Sequence, residues 1–272
     1  MSARNSKANK AAARERIRVE RERQAKKERL RRQLIVAGST VGVLALAGGI
    51  GYGVMQANKP DGWDAAKDAK NVTAPKNTSG ENGTTVVLGK ADAKKTLELY
   101  EDSRCPACAS FEQSVGETMK KDIAAGKYKV QYVGATFIDK MASGEGSKNA
   151  LSALGAALDV SPEAFADFKA ALYSKEFFPE ESKDEFAKDS YLLKVADSVP
   201  ALKDNATFEK NVKDGTFDAW AMKMSAKFEK SGVQGTPTMK MDGKKVTTNG
   251  KDTPMTPADY NKALDKALGA AS

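Results

Sequence analysis

Cys105 and Cys108 sit three residues apart in SRCPACAS, residues 103–110. The 272-residue chain contains no other cysteine and no histidine. Without imidazole the chain cannot build a histidine-based triad, a histidine metal site or an imidazole switch near neutral pH. Much enzymology is excluded by that absence, and for the two thiols four readings compete. A structural zinc site needs four ligands, and two thiolates supply half of one unless a second chain completes it. A purely structural disulfide across two intervening residues closes a loop too small to remove much chain entropy. Inert buried thiols fit poorly with the exposed start of a helix. A catalytic dithiol/disulfide uses both the spacing and the position, and it is the reading adopted. No metal and no cofactor is required by it.

The flanking elements position the pair. Thr96–Glu101 (TLELYE) alternates as a strand does, and the cysteines follow directly. ASFEQSVGETMKKDIAAG then shows helical spacing at Phe111, Val115, Met119 and Ile123, ending at Gly126. Cys105 therefore precedes the first helical turn, where unpaired backbone N–H groups and the helix dipole stabilise a thiolate. Pro106 suits the first helical position, because the N–H it lacks would have no partner there. Cys108, one turn in, faces the body and acts as the resolving thiol. A substrate thiolate attacks Cys105, a mixed disulfide forms, and a second thiol resolves it; the reverse sequence reduces a substrate disulfide.

Elsewhere in the body, strands are expected at Thr84–Leu88 and Lys127–Ile138, and the pattern turns helical from about 146 to 230. After Gly232 it reverts to strand, with Asp242-Gly243 as a hairpin turn. Asn205 is placed to open a helix, and Thr256-Pro257 opens the closing one. The order β-β-α-β, helical block, β-β, α implies an α/β fold with one mixed sheet and a large helical insertion.

Three segments precede this body. Residues 34–55, LIVAGSTVGVLALAGGIGYGVM, carry no charge and are long enough to cross a bilayer as a single transmembrane helix. The long N-terminal region and the bulky Met55 argue against a cleaved signal peptide. Residues 1–33 hold 13 Lys/Arg against 4 Asp/Glu, while the other 239 residues hold 31 against 32, so the net charge of +8 resides in the tail. That asymmetry makes 1–33 a basic cytoplasmic tail suited to lipid headgroups rather than nucleic acid, and places everything after the span outside. Residues 56–83 lack an apolar period and are expected to be a flexible linker.

With YEDSRCPACASFE at 100–112 and GTPT at 235–238, residues 84–270 resemble the thioredoxin superfamily. The helical block between the motifs resembles the DsbA-like thiol-disulfide oxidoreductases. The resemblance implies that Pro237 is cis beside Cys105, and that the backbone of Thr236 pairs with a substrate peptide as an added strand. It also implies a thiolate environment set by Pro106 and Ala107. Many DsbA-like oxidases have histidine where Ala107 stands, and alanine cannot stabilise a thiolate by charge. The family's buried acid corresponds in position to Leu99; Glu98 falls on the opposite strand face, and Glu101 has the right parity but lies nearer the strand end. No proton-relay acid is assigned.

The expected function is an extracytoplasmic, membrane-anchored enzyme that introduces disulfides into exported polypeptides with free thiols, and that a membrane redox partner reoxidises. A disulfide reductase or isomerase on the same fold, or a non-redox peptide-binding module, are the alternatives.

Overall fold

The computed structural model describes residues 62–180 and 183–269. The basic tail and the apolar stretch 34–55 lie outside the described residues. Among those described, no helix is long and apolar enough to cross a membrane.

Five strands form one sheet: β1 (Val86–Leu88), β2 (Thr96–Asp102), β3 (Lys129–Ala135), β4 (Thr238–Met241) and β5 (Lys244–Lys245), in the order β1-β3-β2-β4-β5. β2 and β3 run parallel and the other pairings are antiparallel. The parallel pair needs a crossover. It is supplied by α2 (Pro106–Ala125), the helix that begins at the cysteines. A short helix, α1 (Gly62–Asp68), precedes the sheet.

Register sorts the side chains. Leu97, Leu99 and Glu101 of β2 pair with Val130, Tyr132 and Gly134 of β3, so these residues share one face. That face carries α2, whose buried Phe111 meets Tyr260 of α9 (Pro257–Leu268) edge to face. Tyr100 and Asp102 point to the opposite face, where Tyr100 contacts Phe228 of α8 (Asp218–Lys230).

The expected helical block is α3 (Ile138–Met141), α4 (Gly146–Val160), α5 (Pro162–Leu172), α6 (Asp189–Ala196), α7 (Ala206–Lys213) and α8. Two glycines let it pack, Gly134 against the sheet and Gly155 within the block itself. A Cβ on Gly134 would lie 2.4 Å from Leu151, and one on Gly155 would lie 2.8 Å from the Trp220 ring. Several local signals act as expected. The side chains of Asn205 and Thr256 accept from Phe208 N–H and Asp259 N–H. Asp242 and Gly243 both adopt positive φ, as a tight hairpin requires.

The spacer reading of 56–83 needs correction from Gly62 onward. Besides α1, residues 79 and 85 bridge in antiparallel fashion. Lys76 pairs with Asp159 at 2.9 Å, Asn77 donates to Leu158 O, and the buried indole of Trp220 donates to Gly83 O at 2.9 Å. The segment has no apolar period because single residues, each meeting a partner far along the chain, hold it in place.

Candidate redox site

β2 ends at Asp102 and the chain turns immediately into α2, with Cys105 as the N-cap and Pro106 at the first position. The turn is closed by Cys105 N–H donating to Asp102 O at 2.9 Å. Pro106 and Ala107 are exposed, whereas Cys105 is 6% exposed and Cys108 fully buried. The Cys105 sulfur is thus more recessed than its place at a helix start suggested. Both cysteines are free thiols, packed with Ala109, Ile138 and Tyr173 and bordered by Phe137 and Phe178.

The Thr236–Pro237 peptide bond is cis, and the loop lies against the nucleophile: the Cys105 thiol donates to Thr236 O at 3.4 Å. The structure therefore brings Thr236 and Pro237 to Cys105 across 131 residues of sequence.

The two sulfurs are electrostatically unequal. The Cys108 thiol hydrogen-bonds to the Cys105 sulfur, and with Thr236 and the backbone amides of Cys108 and Ala107 it outweighs burial. The Cys105 pKa is thereby lowered to about 6. Burial first, then the hydrogen bond to Cys105 and the charge of Glu101, push the Cys108 thiol well above its ordinary value. Ala107 contributes only its backbone amide to this polarisation.

Glu101, fully buried on the face that carries α2, acts on both sulfurs through its charge. It meets Lys169 of α5 at 3.1 Å, and Lys169 meets Glu112 of α2 at 2.6 Å. The Glu101 contact works through charge, because neither carboxylate oxygen has a hydrogen-bond partner of good geometry among the described residues. Burial raises the Glu101 pKa to about 7, against the pull of Lys169. Burial also opposes the charge on Lys169, but the two carboxylates hold its pKa above the ordinary value. Parity on the strand pointed to Glu101; no signal in the sequence pointed to Lys169, 68 residues on in another helix.

On the other face, Asp102 accepts from Arg104 N–H, Ile138 N–H and the Ser147 hydroxyl. Arg104 donates to Asp139 at 2.9 Å and pairs with Asp184 at 3.1 Å. Asp139 accepts from the amides of Ser147 and Lys148, and Asp184 from those of Glu145 and Gly146. The open N–H groups at the start of α4 are satisfied by carboxylates that the residue before Cys105 neutralises. Tyr173 donates to Asp102 O at 3.1 Å and closes the back of the cluster. Among the described residues, no group of three or more Cys, Asp or Glu is arranged to hold a metal ion.

A five-stranded mixed sheet, a two-cysteine helix start and a cis-proline loop against the first sulfur define a class. A family model described as Thioredoxin matches residues 81–266, and the chain belongs to that family. Within it the chain is a DsbA-like thiol-disulfide oxidoreductase. Disulfide bond formation protein D of Bacillus subtilis is 29% identical over 161 residues, which cover 59% of this chain and 68% of that protein. The crystal structure of oxidised BdbD from B. subtilis aligns with 74% of this chain and 100% of its own at 26% identity and a TM-score of 0.56. MdbA of Actinomyces oris, a thiol-disulfide oxidoreductase, shares the fold at 20% identity and a TM-score of 0.58, covering 78% of this chain and 97% of its own.

Proposed function

We propose that the protein acts as a disulfide donor: its Cys105–Cys108 disulfide oxidises pairs of thiols in exported polypeptides. The observation that carries the direction is the stabilised Cys105 thiolate, with its pKa lowered to about 6. A stable thiolate in the reduced form makes Cys105 a good leaving group and the disulfide a good oxidant.

The steps follow from the site. A substrate thiolate attacks the Cys105 sulfur; the Cys105–Cys108 bond breaks and its electron pair goes to Cys108. Because Cys108 holds its proton tightly, it takes one up, and Glu101 in its acid form is placed to give it. A second substrate thiolate then attacks the substrate sulfur of the mixed disulfide. The substrate has lost two electrons, and Cys105 departs as the thiolate that Cys108 and the helix start hold. Thr236 presents its backbone to the substrate strand, with Pro237 shaping the loop beside Cys105. Pro106 and Ala107 are the exposed surface over which the substrate passes.

The reading extends to location. The apolar stretch 34–55 and the basic residues 1–33 support a single-pass anchor with the catalytic domain outside the cytoplasm. A membrane redox partner then restores the disulfide. The deciding measurement is the equilibrium potential of the pair against glutathione. A value above about −180 mV is expected; one near −270 mV would assign the chain to disulfide reduction. Cys108→Ala is expected to accumulate mixed disulfides through Cys105 on non-reducing gels, and an empty lane would oppose the mechanism.

A further inference from the structure

The backbone carbonyl of Asp102 closes the turn on which Cys105 stands, and two donors reach it. Cys105 N–H donates at 2.9 Å from within the turn, and the Tyr173 hydroxyl at 3.1 Å from another part of the chain, 71 residues beyond Asp102. Both lone pairs of the oxygen are thereby engaged.

The surroundings of Tyr173 fix where its hydroxyl points. It is the C-cap of α5, one turn beyond Lys169. Its ring is buried in the same packing cluster as both sulfurs. Its own carbonyl accepts from Gln113 of α2 at 2.7 Å, which ties the end of α5 to the helix that begins at the cysteines. Burial first, then the charges of Glu101 and Cys108, keep the phenol protonated, so it donates.

The consequence falls on the sulfur. A carbonyl oxygen is the negative end of a dipole, and this one lies a single hydrogen bond from the Cys105 amide. It opposes a thiolate on Cys105 unless its charge is offset. The Tyr173 hydroxyl places its positive hydrogen on that oxygen, in a buried site where dipoles are poorly screened.

We propose that Tyr173 is a positioning residue for thiol-disulfide exchange: by donating to the Asp102 carbonyl it fixes the turn that carries Cys105 and offsets the carbonyl's negative end, which favours the Cys105 thiolate. The inference rests on Cys105 being the exchanging sulfur, and it applies to either direction of electron flow.

Tyr173→Phe keeps the ring and removes only the hydroxyl, while the Asp102 carbonyl retains its Cys105 donor. In the full-length protein two readouts follow the thiolate rather than the packing. The acid dissociation constant of Cys105 in the reduced protein, read from thiolate absorbance, should fall about fivefold, the worth of one hydrogen bond. The equilibrium with glutathione at pH 8 should move about fivefold toward the protein disulfide, since the reduced form has lost that stabilisation. Tyr132→Phe is the control. It removes a buried hydroxyl that has no hydrogen-bond partner among the described residues, and should leave both readouts within twofold. Gln113→Ala releases the end of α5 and should shift both readouts in the same direction by about threefold. It decides the matter if Tyr173→Phe does not fold, and no shift there overturns the proposal. So does a loss of stability in Tyr173→Phe with both readouts unmoved, or an equal shift in Tyr132→Phe. A parent potential in the reductase range would overturn the disulfide-donor reading alone, because both readouts are differences from the parent.

Discussion

Glu101 and Asp102 are adjacent on β2 and both are buried, yet they belong to two different kinds of charge cluster. Asp102 is saturated: three donors reach its carboxylate, and Asp139 and Asp184 beside it are equally well supplied around Arg104. Glu101 has one cation at 3.1 Å and no hydrogen bond of good geometry. Strand parity sends the first away from the sulfurs and the second toward them. Burial raises the Asp102 pKa to about 6 against the pull of Ser147 and the amides of Arg104 and Ile138, so its donors hold shape more than charge. An under-satisfied cluster can gain or lose a proton at little structural cost, and that of Glu101 lies where a proton must move.

The comparison can be broken most sharply at Arg104. Arg104→Met leaves Asp139 and Asp184 without their cation, and a loss of about 3–5 kcal/mol in urea unfolding is expected. The folded variant should keep its thiol-exchange rate within about threefold; a selective loss of exchange with unchanged stability would reverse the assignment of the two clusters.

The next effect is on pH dependence. In the reduced protein the Cys105 pKa is about 6 against an ordinary 9.0. The folded state therefore sheds this proton more readily than the unfolded chain. The stabilisation is fully present above about pH 9 and disappears as the pH falls through 6. The oxidised protein has no such group. The stability of the reduced form relative to the oxidised form should thus grow between pH 6 and 9, by up to roughly 4 kcal/mol. Parallel denaturation curves of the two forms would expose a flat difference.

The smallest change in stability accompanies Glu101→Gln. Removing an under-satisfied buried carboxylate should leave unfolding free energy within about 1 kcal/mol, or raise it. Formation and breakdown of the Cys108 thiolate should nevertheless slow at least tenfold near neutral pH, as loss of a positioned acid–base group does. Stopped-flow exchange with a thiol peptide would measure this, and an unchanged rate would place the proton elsewhere.

Local features were readable from composition and spacing. Strand TLELYE, the junction at Cys105 and Pro106, the caps at Asn205 and Thr256, and the Asp242-Gly243 turn each depend on residues within a few positions. Parity was enough to single out Glu101 but not to assign it, because its role depends on what approaches from above. The segment from Gly62 to Gly83 was misread for a related reason: its anchors lie near residues 158 and 220.

The sequence by itself pointed to a two-thiol exchange at the start of a helix, since the two cysteines stand three residues apart and that spacing is local. Tertiary structure alone decided the inequality of the two sulfurs and the surroundings that maintain it. Thr236, Lys169 and the Arg104 cluster reach the site from helices and loops far along the chain. Electrostatic shifts of this kind depend on distance and burial in space, which chain position does not encode.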